Sequence, residues 1–220
     1  MATQEPSSSD AVLLPSIAAT SPTVIVKVGT EGKEYILHTE LLKHHSGYFR
    51  GALSGAFKET DDGVIPITDI DTDAFDTFVD WIYRGITTFE PSSSGKQLFN
   101  AYNSYILADR LLVPGLKSAL LGSYCELFSG KSHKRPACRA IVELFRNLAE
   151  DDPLLRLCVD VWATRKAIYK LKDFEKDEAS SLPQSFFVRL MLRMNELGQN
   201  PPSVGTFKRE DYSERVRLDG

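Results

Sequence analysis

The chain has 220 residues, 42% of them hydrophobic and 25% charged, enough apolar material for one core with an extension or for two small units. Its formal charge of −4 names no partner by itself. No stretch reaches the roughly 18 consecutive apolar residues of a membrane span, and the polar, acidic start MATQEPSSSD is unlike a secretory signal, so a cytoplasmic or nuclear protein is expected. The charge is uneven: residues 1–110 hold 8 basic against 15 acidic side chains, and residues 111–220 hold 18 against 15. That offset is ordinary for an acidic domain followed by a mildly basic helical tail. Cys125, Cys138 and Cys158 form an odd set without a CxxC pair, which reads as reduced core thiols.

Residues 1–21, with Pro6, Pro15 and a serine triplet, have the composition of a disordered lead-in. Val24, Val26 and Val28 alternate with Ile25 and Lys27, a turn follows at Thr30–Lys33, and Glu34–Leu37 resumes an apolar run. This predicts a β-hairpin with one buried face. Thr39 is placed to cap a short helix that turns Leu41 and Leu42 inward and Lys43, His44 and His45 toward solvent. A second short helix fits Tyr48, Phe49, Ala52 and Leu53. Val64, Ile65 and Ile67 form a third strand, and Pro66 within it, having no N–H to donate, places that strand at an edge. Asp71–Asp73 supply caps and dipole-matched acids for a helix with Phe75, Phe78, Val79, Ile82 and Tyr83 on one stripe, closed by Gly85. Trp81 lies off the centre of that stripe, at the border of the core or on a contact surface.

Further along, PSSSG at residues 91–95 reads as a surface loop. Helical spacing returns through Leu98, Tyr102, Tyr105 and Ile106, and again through Leu116, Leu120, Tyr124 and Leu127. Three more helices have start signals: Pro136 ahead of Ile141, Leu144, Phe145 and Leu148; Asp152 and Pro153 as cap and first residue ahead of Leu154, Leu157, Cys158, Val161 and Trp162; and Pro183 ahead of Phe186, Phe187, Leu190, Met191, Met194 and Leu197. Residues 200–220 are predicted to be a mobile charged tail.

The ordered series SGYFRGAL, AFKET, IPITDID and FVDWIYRG resembles the BTB/POZ domain, and within that family the single-BTB proteins of fungi. The resemblance covers residues 22–128. It implies an α+β fold, a small mixed sheet flanked by a cluster of helices, followed by a helical extension over residues 129–199. It also implies that Leu107–Lys117 is the loop between the last two helices of the domain, and that His38 packs or caps at the strand-to-helix corner. Val12–Ala19 matches, in position, the arm that some relatives exchange between subunits, although Pro15 opposes a helix there.

The function this resemblance implies is protein binding. One version is an adaptor of a cullin-RING ubiquitin ligase, where family members carry a hydrophobic-x-Glu element; here the segment reads Thr87–Thr88–Phe89–Glu90, with Thr88 at the hydrophobic position. The alternative is a homo-oligomeric scaffold or transcription-related regulator without ubiquitin chemistry, weakly dimeric through the helix around Leu41 and His44. The candidate protein-binding residues are therefore Leu41, His44, Trp81, Phe89 and Glu90.

Other chemistries lack parts. The four histidines, His38, His44, His45 and His133, show no HExxH or HxH spacing, and adjacent His44 and His45 point to different sides of a helix. The GALSG stretch has no phosphate-loop lysine beside it. Asp69, Asp71 and Asp73 read as helix-start acids before they read as a cation site. KSHKRP at 131–136 is the one compact basic stretch, with no aromatic-lined basic face around it. No enzyme activity, cofactor, metal, nucleic acid or small-molecule substrate is expected.

Overall fold

The computed structural model describes residues 18, 20–54, 63–87, 95–129, 135–165, 177–199 and 207–212. Strands β1 (Thr23–Val28) and β2 (Lys33–His38) pair antiparallel, Val26 opposite Tyr35. Their turn places Gly29 and Gly32 at φ of 75° and 66°, left-handed positions that glycine occupies without a Cβ penalty. Val24, Val26, Val28 and Leu37 are buried, as the two-residue period of a half-buried strand requires. Strand β3 (Val64–Ile67) joins β1 in parallel, giving the order β2-β1-β3. Pro66 thus sits on an edge strand, where its missing N–H is tolerated.

Helix α1 (Thr39–His45) follows β2 directly. Thr39 is its first helical residue and not its cap, because the cap position falls to His38, whose side chain makes no capping bond. The His38 ring instead places Nδ1 2.8 Å from the Tyr83 hydroxyl, which ties the end of β2 to a later helix. Ser46 caps α2 (Gly47–Ala52) by accepting from the Phe49 N–H. Helix α3 (Thr72–Arg84) starts on Asp71, which accepts from the Ala74 N–H at 3.0 Å, and ends on left-handed Gly85. Its inner face carries Phe75, Phe78 and Ile82 with Ala74 and Thr77. That face is rotated from the predicted stripe, so Val79 lies at the margin and Tyr83 is exposed.

Helices α4 (Gly95–Arg110) and α5 (Pro114–Phe128) are separated by Leu111–Val113 alone. The expected loop Leu107–Lys117 is therefore three residues, since α4 runs to Arg110 and Pro114 already opens α5. Beyond them lie α6 (Cys138–Asn147), α7 (Pro153–Thr164), α8 (Gln184–Gln199) and a 3-10 turn, Arg209–Tyr212. Helix α6 begins two residues later than its proline suggests, and Pro136 gives its carbonyl to the Trp162 indole N–H at 3.1 Å. Within the tail expected to be mobile, Phe207 and Tyr212 are buried. Tyr212 donates to Asp160 at 2.6 Å, and its turn packs on α5 and α7.

The main core joins the sheet and α1 to α5 with Ala140 and Leu144 of α6 and Leu154, Leu157, Cys158 and Val161 of α7. A second core gathers Ile141, Trp162, Leu182, Phe186 and Leu190. Helices α6 and α7 thus serve both. All three cysteines are buried, and burial pushes the Cys125 thiol up to about 12, so it stays protonated and unreactive.

One carboxylate holds this junction. The Asp152 side chain, 2% exposed, caps α7 through the Leu154 N–H at 2.8 Å, accepts from the Tyr105 hydroxyl of α4 at 3.1 Å, and pairs with Lys117 of α5 at 2.8 Å. Lys117 also pairs with Asp109. Burial opposes the lysine's charge, but its bonds to Asp109 and Asp152 outweigh that and raise its pKa. In urea denaturation, Asp152→Ala is expected to lose about 2–4 kcal/mol, because it removes the cap of α7 and leaves the buried Tyr105 hydroxyl without its acceptor, while Lys117 keeps Asp109. Phe78→Ala is expected to lose about 3–5 kcal/mol through the cavity it opens. A loss within about 0.5 kcal/mol for Asp152→Ala, the range of an ordinary surface change, would show that this carboxylate holds nothing together.

Candidate protein-interaction surface

The α1–α2 corner and the turn between α4 and α5 are laced together by backbone bonds. Ser46 Oγ, fully buried, donates to the Leu111 carbonyl at 2.6 Å; the Gly47 N–H donates to the Leu112 carbonyl at 2.9 Å, and the Tyr48 N–H to the Leu111 carbonyl at 3.3 Å. The contact is close enough that a Cβ on Gly47 would lie 2.9 Å from the Leu112 Cβ. Only glycine lets these backbones meet.

The lacing forces Leu112 to φ of 53°, the one non-glycine residue with positive φ among those described. For a leucine this conformation costs roughly 1–2 kcal/mol. Its flanks Leu111 and Val113 are buried, yet Leu112 is 61% exposed. Tyr48, exposed as well, rises from the backbone bonded to this turn. Two large apolar side chains therefore stand on a rigid platform with little conformational freedom left to lose on binding.

The candidate residues read from sequence scatter. Leu41 is only 8% exposed, so it is an interior residue and not a surface contact. A Leu41→Arg variant would test folding more than association. His44 is half-buried on α1, its ring 4.7 Å from that of His45. Trp81 is partly buried against the main core, and its ring lies 3.2 Å from where a Gly115 Cβ would stand. Phe89 and Glu90 lie outside the described residues; Ile86, just before them, is exposed. In the sequence Tyr48 shows only as part of a short helix and Leu112 only as part of a loop. Three successive apolar residues ahead of Pro114 were the available signal, since a tight turn cannot aim all three inward.

The acids at the start of α3 are engaged locally. Asp71 is the cap, and Asp69 pairs with Arg110 at 2.6 Å, which holds its carboxyl below the usual range. The three-group contact of Lys33, Tyr35 and Asp76, with the tyrosine hydroxyl 2.7 Å from the carboxylate, fastens β2 to α3.

His45 carries a pH dependence. Burial first, and the neighbouring His44 second, hold its pKa below the ordinary 6.5. The folded state therefore binds its proton less well than the unfolded chain does. The stability tied to neutral His45 is full above the unfolded value and is lost as pH falls from 6.5 toward the lower folded value. The melting temperature should fall from about pH 7.5 to about pH 5.5 more steeply in the natural chain than in His45→Gln; equal slopes would contradict this assignment. Trp81→Ala should lower the melting temperature by several degrees, a core effect of about 2–4 kcal/mol.

The BTB/POZ domain model matches residues 19–123, from just ahead of β1 into α5. No curated protein matches the chain. The match covers the mixed three-stranded sheet and its surrounding helices, the platform at Ser46–Tyr48 and the Leu111–Val113 turn included, and with those elements in place residues 19–123 form a BTB/POZ domain.

Proposed function

We propose that this chain is a non-enzymatic adaptor that docks other proteins on the Tyr48–Leu112 platform, with a cullin-type scaffold of a ubiquitin ligase as the partner. The coarser part rests on the domain itself, a protein-interaction module. The observation that carries the site is Leu112, an apolar side chain held outward in a strained conformation by a buried network. Strain of that kind persists where the surroundings over-determine it, and it concentrates at sites that bind.

The Thr88–Phe89–Glu90 segment follows α3 and its exposed Ile86, and it supplies the second half of the contact in this reading. Phe89 is the anchor that fills a pocket on the scaffold, and Glu90 fixes register by charge. Target recruitment then falls to the helices after residue 129.

The test is binding of the purified full chain to purified cullin N-terminal domains by calorimetry. Leu112→Gly removes the side chain while relieving the positive φ, so its melting temperature should hold or rise. Its affinity should fall at least about tenfold, as expected of a central anchor. Phe89→Ala/Glu90→Ala should fall comparably. Absence of binding by the natural chain at high concentration, or full affinity in Leu112→Gly, would sink the proposal.

A further inference from the structure

Helix α8 has two unlike faces. On the inner one, Phe186 and Leu190 enter the second core. Arg189 donates to the Glu150 carbonyl at 2.6 Å, and Arg193 to Asp160 at 2.6 Å, so one edge of the helix is clamped to α7 and the residues just before it. The outer face, within about 120° of arc, carries Gln184, Ser185, Val188, Met191, Leu192 and Asn195. None of these is charged. At its centre Val188, Met191 and Leu192 are 49%, 71% and 62% exposed, an i, i+3, i+4 cluster of apolar side chains. A solvated helix face is ordinarily charged; α3, by contrast, turns Asp73 and Arg84 outward.

We propose that this face pairs with the same face of a second copy, the two α8 helices antiparallel about a two-fold axis near Leu192. An isologous contact brings residues at the axis against their own copies, so any charge there would meet its like. This face has none. Leu192 then meets Leu192, and Val188 meets Asn195 of the second copy. The charges at the rim also fit. Arg189 and Glu196 lie on one edge of the face, seven residues apart and opposite in sign. Reversal about Leu192 carries Glu196 of one copy to within about one residue rise, roughly 1.5 Å along the axis, of Arg189 in the other. Glu196 is exposed and pairs with Arg193 of its own helix at 2.9 Å, so it is on the correct rim to bridge both arginines. This surface is independent of the Tyr48–Leu112 platform and of the partner proposed for it.

A single helix pair is smaller than a standard stable interface, which sets the expected dissociation constant at roughly 10–100 µM. Sedimentation equilibrium of the full chain across that range should show mass rising from monomer toward dimer. Met191→Glu/Leu192→Glu should keep the melting temperature, since both side chains are exposed, and weaken association more than about tenfold. Under mild oxidation Leu192→Cys should cross-link to its own copy, while Ser181→Cys, off this face, should not; the natural thiols are buried. A monomer throughout would overturn the proposal and leave the face to a different protein. Dimerisation undiminished in the double glutamate variant would overturn it in favour of another surface of this chain.

Discussion

A carboxylate almost sealed from water has to be neutralised by its surroundings, and Asp152 meets that requirement with donors from three helices. Removing Lys117, its one charged partner among these donors, strands charge in the interior, which is far less favourable than never having buried the group. The consequence is architectural. The Tyr105 and Lys117 partners belong to the last two helices before the extension, whereas the capped N–H belongs to α7, so the extension cannot swing away from the sheet-bearing part without exposing the carboxylate. Apolar packing alone would be less specific, because it tolerates sliding and repacking. A directional set of bonds fixes register, and the main core then closes across the junction through Leu154, Leu157 and Cys158.

A second constraint acts nearer the surface. Ser46 spends its hydroxyl twice, accepting from Phe49 and donating to Leu111. A cap and a tertiary anchor therefore share one buried atom. This couples the start of α2 to the α4–α5 turn and leaves Leu112 no alternative backbone state. Glycine at position 112 would satisfy the conformation without strain, and a polar residue would satisfy solvent. Leucine satisfies neither, which is why its exposure carries more weight than that of isolated apolar residues, ordinary features of protein surfaces.

Much of the fold was legible because the sequence repeated each message at several levels. The alternation of Val24, Val26 and Val28 agreed with the turn that followed, Pro66 marked an edge, and Asp152–Pro153 spelled both cap and first turn. Errors arose where one residue had two possible employers. Thr39 was a plausible cap, but the strand runs one residue further, and His38 took the position while its ring went to Tyr83. Pro136 looked like a helix opener, but its carbonyl is needed by Trp162. The charged composition around Tyr212 suggested mobility, and two aromatic side chains, Phe207 and Tyr212, outweighed it by entering the main core. Met191 stands in the apolar series of its helix, yet it is exposed, because apolar residues on more than one side of a helix do not say which side is covered. The platform was least legible of all, since Leu112 is defined by a hydrogen-bond network between segments some 65 residues apart and by no local pattern.

The two surfaces differ in kind, and the difference bears on how they would work together. The platform is strained, small and rigid, features that favour specific capture of one partner at low entropic loss. The α8 face is relaxed, apolar and uncharged, features that favour weak contact with itself. A pair joined through α8 carries two platforms on one body. Any partner that is itself paired then meets the second platform at an effective concentration set by geometry, which raises avidity by about 10² or more without a new contact. Weak self-association is sufficient for this, because the partner's own pairing stabilises the assembly by the same linkage. A tight dimer would instead form in the absence of any partner and remove that dependence. The uncharged face without a large aromatic anchor suits the weaker regime.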